Sequence, residues 1–273
     1  MSLTVVRALG LVTIQDLGRP GRMHEAVPPG GALVRDRLIA ANRGVHNPDD
    51  APAIEVIGRL VVRAGRPLEV ATDTTAPRTL AAGDELTVAS EPHRVAYLAI
   101  RGGIAAPLVL GGRGALLSAG LGGLIRAGQV LASARLAQVA PPRGVPGPPL
   151  PATMTTATAA ADDAPIRVIA GPDPAAFAPG ALDLLRASTY RILPTSDRVG
   201  TRLDGPALPR SEAPEVSRPM VLGAIEVPRD GQPIVLGPEH PTTGGYPIIA
   251  VVASADLGRL FSIRPGGAVR FGA

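Results

Sequence analysis

APAIEVIGRLVVRAGRPLEVATDTTAPRTLAAGDELTVASEPHRVAYLAI, residues 51–100, decides the fold class. Within it, residues 53–57, 60–63, 68–71, 85–88 and 95–100 are short runs dominated by Val, Ile, Leu and Ala, with Gly, Pro, Asp and Thr standing between them. Branched apolar runs this short, punctuated by turn residues, form strands; a helix needs a longer stretch with a 3.6-residue period. The same rhythm continues outward to 3–6 on one side and to 166–169, 190–193, 224–227, 234–236, 248–252 and 269–271 on the other. Helical period is confined to 33–42, 181–187 and 255–261, the last with Asp256 in its first turn. The chain therefore reads as mainly β with few short helices.

A turn-then-strand unit occurs three times, as Ala82-Gly83-Asp84-Glu85-Leu86, Ala127-Gly128-Gln129-Val130-Leu131 and Pro265-Gly266-Gly267-Ala268-Val269. Glycine supplies the positive φ of a tight turn and the following aliphatic residues open a strand. One stretch breaks the pattern. Residues 141–165, PPRGVPGPPLPATMTTATAAADDAP, carry almost no bulky side chain and cannot bury enough apolar surface to offset the entropy of ordering. They read as a linker between two β-rich domains, 1–140 and 166–273.

Of the 273 residues, 33 are Gly and 30 are Pro, 45% are hydrophobic, and 27 are basic. Every basic residue is Arg; there is no Lys. That removes a phosphate loop of the G-x-x-x-x-G-K-[ST] type, a Schiff-base lysine, a lysine carrying biotin or lipoate, and a Ser–Lys amidase. With no Cys, disulfides, thiol nucleophiles and Cys-ligated zinc are excluded as well. His24, His46, His93 and His240 share no metal-ligand spacing, so no metal is expected and all four read as surface or turn residues. The formal charge of +4 is dispersed and only 2% of residues are aromatic, which argues against a nucleic-acid partner. The first residues lack the charged start and apolar core of a signal peptide, and no apolar run is long enough to span a membrane. A cytoplasmic protein is the expectation.

Three polar clusters stand out. In Thr13-Ile14-Gln15-Asp16-Leu17-Gly18-Arg19, Asp16 and Arg19 flank a glycine. They read either as an Asx-type turn with a local ion pair or as an anion- or carbonyl-binding Arg19 oriented by Asp16. In Ser196-Asp197-Arg198-Val199-Gly200-Thr201-Arg202, the two arginines either address one anionic group together or belong to a solvated turn. Thr242-Thr243-Gly244-Gly245-Tyr246 precedes the most apolar strand; its glycines allow close backbone approach to a ligand, and two hydroxyls and a phenol are more than a plain turn requires.

Taken in order, TIQDLGRPG (13–21), GGALVRDRLIAANRGVHNPDDAPAIEV (30–56), AYLAIRGGI (96–104), GPDPAAF (171–177), SDRVGTRLDGPAL (196–208), GAIEVPRDGQPIVL (223–236) and TTGGYPIIAVVASADLGRL (242–260) resemble the allophanate hydrolase subunit 2 family, which includes the C subunit of 5-oxoprolinase and the KipI antagonist and is related to biotin-dependent carboxyltransferases. The resemblance covers nearly the whole chain. It implies a cyclophilin-like β-barrel and a partner of the 5-oxoprolinase B type, also called KipI-like or allophanate hydrolase subunit 1-like. With a third protein, of the 5-oxoprolinase A type, it implies ATP-dependent opening of 5-oxoproline to glutamate. ATP would be handled by the partners, and biotin enters only in the carboxyltransferase reading, in which carboxybiotin on another chain serves a urea-like substrate. A non-catalytic regulator like the KipI antagonist is the remaining alternative.

For an amide opening, the candidate catalytic residues are Asp16, Arg19, Arg198 and Thr243. Gln15, Arg202, Thr242, Gly244, Gly245 and Tyr246 are the candidate binding residues, the Gly244 and Gly245 N–H groups serving as donors to developing charge on the carbonyl oxygen. The chain departs from the family pattern at Gly30 and Val34, where Ser and Asp are usual. It departs again at Arg218 in place of Glu, at Pro241 in place of Gln, and at Ile248 in place of a basic residue.

Overall fold

The computed structural model describes residues 1–135, 164–212 and 215–273, so the expected linker lies, up to residue 163, outside the described residues. Backbone contacts divide the chain into two units. One is Met1–Arg19 with Gly30–Thr158; the other is Pro20–Pro29 with Ala159–Ala273. Residues 20–29, expected within the first domain, thus group with the second.

The first unit is a seven-stranded sheet. Its strands are β1 (Ser2–Gln15), β2 (Ala53–Ala64), β3 (Leu68–Thr72), β4 (Arg78–Leu80), β5 (Glu85–Ala89), β6 (Ala96–Ile100) and β7 (Val130–Ala132). They run in the order β4-β3-β6-β2-β1-β7, with β5 also on β2. Alternating residues of β2, β5 and β6, among them Ile54, Val56, Leu60, Val62, Leu86, Val88 and Leu98, fill its core together with Leu3, Val5 and Val12.

Two runs expected as separate strands, 53–57 and 60–63, form the single strand β2, with Gly58 between them. Gly58 faces Gly10 in the register with β1. A Cβ on Gly10 would lie 2.3 Å from the Ile57 carbonyl oxygen, and one on Gly58 would lie 2.3 Å from that of Leu9. The two backbones approach so closely that only glycine fits at either position, and both sit at positive φ. What reads locally as a breaker is a contact between strands.

Helix α1 (Arg35–Gly44) lies against β3 and β6. Val34, at its N-cap, makes no side-chain cap hydrogen bond. The Tyr97 hydroxyl of β6 instead accepts the Val34 N–H at 2.9 Å and donates to Glu55 Oε2 at 2.7 Å, while Leu33 N–H also reaches Glu55 Oε2 at 2.8 Å. With Val at 34 the helix has no side-chain cap, and the buried Tyr–Glu pair instead fixes the backbone N–H groups of Leu33 and Val34 that lead into it.

The second unit is a closed barrel of β8 (Ile166–Ala170), β9 (Thr189–Ile192), β10 (Gly200–Asp204), β12 (Ala224–Glu226), β13 (Ile234–Leu236), β15 (Ile248–Val252) and β16 (Ala268–Gly272). The order is β10-β13-β12-β15-β8-β16-β9, with only the β16–β8 pair parallel. Closure leaves no open edge. Tyr190 and Phe271 meet inside it at 6.2 Å between ring centroids. Helices α2 (Ala181–Ala187) and α3 (Leu257–Ser262) complete the unit, α2 with the bounds expected. All three turn-then-strand units form as read, with Gly83, Gly128 and Gly266 at positive φ ahead of β5, β7 and β16. The mainly β class, the few short helices and the barrel agree with expectation.

Candidate functional site

In the second unit a two-stranded ribbon, β11 (Arg218–Pro219) with β14 (Thr243–Gly244), leads into barrel strand β15. The ribbon exists because Met220 N–H bonds the Thr242 carbonyl at 3.0 Å, while buried Met220 packs into a small core with Ala224, Leu236 and Ile248. The two glycines differ. A Cβ on Gly244 would meet Met220 Cε at 2.5 Å, so this glycine packs directly against the end of the Met220 side chain. Nothing lies within 4 Å of a Cβ on Gly245, which stands in open space beside exposed Thr243 and Tyr246.

Two departures from the family pattern meet here. Arg218, where an acid is usual, forms an ion pair with Asp173, a residue the sequence reading left out of the site although it lies in the recognisable GPDPAAF stretch. The other oxygen of Asp173 accepts the Ile248 N–H at 2.8 Å, and the Ile248 side chain is buried in the core. The basic charge usual at 248 is thus absent, and a basic charge from 218 lies on the same carboxylate.

The expectation that Arg198 and Arg202 address one anion is corrected. Arg198 is buried and its Nε bonds Glu239 Oε1 at 2.6 Å, with both side chains about 5% exposed or less. Arg202 lies in β10, where alternation sends Thr201 and Leu203 inward and Arg202 to the exposed side. There it stands level with Ile234, as does Glu226 on the far side of that strand, so its charge faces a carboxyl that burial raises and Arg202 pulls down.

His240 closes a turn, its N–H bonded to the Gly237 carbonyl at 3.1 Å, but it is buried and not at the surface. Its Nδ1 lies 2.8 Å from the Pro241 carbonyl oxygen, which makes Nδ1 the protonated nitrogen. Burial lowers the pKa of the ring. Asp256 does not cap α3 with its side chain. Its carboxylate accepts Arg167 Nε and Nη2 at 3.0 and 2.9 Å, which holds its pKa below the usual value. The signs agree. As pH falls below about 6.5 the unfolded chain takes up a proton that the folded His240 refuses, and near pH 4 the unfolded Asp256 is protonated before the folded one. Thermal melts should therefore show a fall of the melting temperature from pH 7 to pH 5 that is smaller in His240→Asn, and a loss below pH 4 that is smaller in Asp256→Asn. The raised carboxyls of Asp73 and Glu226 act in the opposite direction.

In the first unit the Asx-turn reading of Asp16 prevails, without the local ion pair. Its Oδ1 accepts Gly18 N–H at 2.8 Å and its Oδ2 accepts Arg113 N–H at 2.5 Å. Arg19 is buried and donates to the carbonyls of Val109, Gly112 and Gly114 at 3.0, 3.4 and 2.8 Å. Among the described residues no ion pair joins Asp16 to Arg19. The carboxylate and the guanidinium instead grip the same loop, 109–114, from its N–H and its carbonyl groups, so Asp16 acts on Arg19 through that loop and through the turn N–H of Gly18 beside it. Gln15 is fully buried and donates to Thr13 Oγ1 and the Ala115 carbonyl, each at 3.1 Å. Arg19 Nη1 has no hydrogen-bond partner, and a Cβ on Gly30 would lie 3.7 Å from it. The hydroxyl usual at position 30 is missing beside that orphaned N–H.

Among the described residues, no group of three His, Asp or Glu is placed to hold a metal ion, and no helix is long and apolar enough to cross a membrane.

Comparison with known proteins follows the same lines. Residues 25–273 match the family model of the carboxyltransferase domain, subdomain A and B. The chain is 32% identical over 294 residues to the C subunit of 5-oxoprolinase from Escherichia coli (strain K12), covering 98% of this chain and 90% of that protein. A crystal structure of TTHA0988 superposes with a TM-score of 0.83 at 29% identity, covering all of this chain but 55% of that one. The Kluyveromyces lactis urea carboxylase shares the fold with a TM-score of 0.87 at 24% identity; 99% of this chain matches 27% of that one. This chain belongs to the carboxyltransferase-domain family of subdomains A and B, the family that holds the 5-oxoprolinase C subunit.

Proposed function

We propose that this chain is the C-type component of a cytoplasmic, heteromeric 5-oxoprolinase-type complex that opens 5-oxoproline to glutamate with consumption of ATP. The observation that carries the reading is the near end-to-end match, 98% of one chain against 90% of the other, with a protein named as the C subunit of 5-oxoprolinase. In that reaction water adds to the lactam carbonyl and the ring C–N bond breaks. Negative charge develops on the carbonyl oxygen and calls for fixed donors. The Gly245 N–H and the Thr243 hydroxyl are the donors this chain offers, the Gly244 N–H being turned onto the Arg218 side of the ribbon, with Thr242 and Tyr246 at the edge of the site. The Arg218–Asp173 pair holds the base of the ribbon. Buried Arg198, paired to Glu239, positions the neighbouring backbone and does not itself bind the substrate. A chain without lysine has no phosphate loop of the usual kind, so ATP is assigned to the partners, a KipI-like protein of the B type and a third protein of the A type.

The carboxyltransferase reading is the second, favoured by the family model and by the fold shared with urea carboxylase. Biotin would then arrive carboxylated on another chain, because this one has no lysine to carry it. A purely regulatory role is less well supported. The Arg218 side chain and the Ile248 backbone N–H meet on one carboxylate, Asp173, so a polar contact persists where the charges depart from the family pattern.

The test is co-purification with the B-type and A-type partner proteins and measurement of 5-oxoproline-dependent glutamate release and ATP hydrolysis. Thr243→Val and Gly245→Ala should each lower turnover by about 100-fold, the usual effect of losing or blocking one such donor. Neither should change the melting temperature, since both positions are unpacked. Gly244→Ala, by contrast, should lower the melting temperature slightly, since only the flexible end of the Met220 side chain must move aside. An intact complex that releases no glutamate sinks the proposal.

A further inference from the structure

The first unit holds a cavity of about 290 Å³ that the reading above does not use. Its charged lining residues are Arg19 and Arg113, and among the described residues no Asp or Glu lines it. Pro107, Leu121, Leu124 and Ile125 supply apolar wall. Arg113 is half-buried and holds one position through Nη1, which donates to the Ala106 carbonyl at 2.5 Å. Arg19 is 2% exposed and is neutralised only by backbone carbonyl dipoles, with Nη1 lacking even that. The nearby Asp16 carboxylate is already turned onto the N–H groups of Gly18 and Arg113. Two cations against one committed anion leave a net positive charge beside a partly apolar hollow. A buried guanidinium without a carboxylate partner favours any anion that can approach it.

We propose that this cavity binds a small organic carboxylate, its charged group at Arg113 within the field of Arg19 and its short hydrocarbon part against Leu121, Leu124 and Ile125. The volume lies just below the usual range for ligand pockets, which admits a small organic acid with room to spare and leaves little for a drug-sized ligand. The apolar wall selects an organic acid over inorganic phosphate, which has no apolar part to bury. The proposal does not depend on the reaction assigned to the ribbon of the second unit.

The experiment titrates the full chain at constant ionic strength with sodium propionate, with its neutral isostere propionamide and with inorganic phosphate, followed by calorimetry and by shift of the melting temperature. Propionate should bind saturably at one site, and Arg113→Gln should weaken it at least tenfold. Arg19 anchors a loop, so its removal confounds binding with folding; Gly123→Asp is the cleaner second variant. Gly123 lines the cavity, and nothing lies within 4 Å of a Cβ placed there. An aspartate at this position supplies an internal anion and should abolish propionate binding while the unliganded melting temperature stays as in the parent chain. The proposal is overturned if propionate does not bind the parent chain, if propionamide binds equally well, or if binding survives undiminished in Gly123→Asp. Phosphate binding as tight as propionate overturns the assignment to carboxylates. Because glutamate release is not the readout, loss of the 5-oxoprolinase reading leaves this result unaffected.

Discussion

Glu239→Ala is expected to destabilise the protein by about 3–5 kcal/mol, the cost of removing one member of a buried ion pair. Arg198 and Glu239 are both nearly inaccessible, their charged groups are 2.6 Å apart, and Glu239 N–H also bonds the Arg198 carbonyl at 3.0 Å. Taking both charges out of water costs several kcal/mol per ion, and their mutual attraction balances that only while both are present. Arg198→Ala should therefore cost about as much as Glu239→Ala. A double replacement by apolar residues, Arg198→Met with Glu239→Leu, should recover most of the loss, because it removes the desolvation penalty along with the attraction. Urea denaturation of the full chain measures all three. If the single variants lose less than about 1 kcal/mol, the pair behaves as a surface ion pair and its structural role is wrong. The result also bears on function: lost turnover in Arg198→Ala reports on folding first, which is why Thr243 and Gly245 carry the catalytic test.

Asp73→Ala should have an effect of similar size, about 3–5 kcal/mol, in the first unit. Asp73 Oδ2 accepts Arg37 Nε of α1 at 2.5 Å, and its Oδ1 accepts the Tyr97 N–H of β6 at 2.8 Å. One carboxylate just beyond β3 thus ties the helix to the neighbouring strand. Arg37 Nη1 already lacks a partner among the described residues, so removing the carboxylate strands a buried cation that has little else. Asp73→Asn keeps an acceptor for one donor and should lose only about half as much, because the backbone bond persists while the charge is gone. Denaturation gives the total, and hydrogen exchange in α1 locates it: faster exchange there in Asp73→Ala, with the barrel strands unchanged, is the expected pattern.

Most of the architecture could be read from local sequence. Strands 68–71, 85–88, 234–236 and 248–252 are branched apolar runs between turn residues, and such runs have few other stable conformations. Helix 181–187 was equally plain. The errors fell where a residue's local preference and its tertiary partner disagree. Gly58 reads as a breaker, but it sits inside β2 because Gly10 of the paired strand allows the two backbones to touch. His240 reads as a surface or turn residue; it does close a turn, but its ring is buried.

The candidate site was legible in its residue types and not in its pairings. Thr-Thr-Gly-Gly-Tyr marks a place where backbone is available to a ligand, and only the packing of Met220 separates the structural Gly244 from the open Gly245. Asp16 and Arg19 are three apart in sequence and read as a pair, yet each bonds the loop 109–114 instead.

By itself, the sequence determined the β class, the turns, the family and the chemistry that a chain without Lys or Cys cannot perform, because these depend on which residues are present and on neighbours a few positions away. Only the tertiary structure decided which charge meets which. Arg198 with Glu239, Arg218 with Asp173 and Arg19 with the carbonyls of 109–114 are joined across 41 or more residues. Burial strengthens such contacts and makes a missing partner costly, and no spacing along the chain records it.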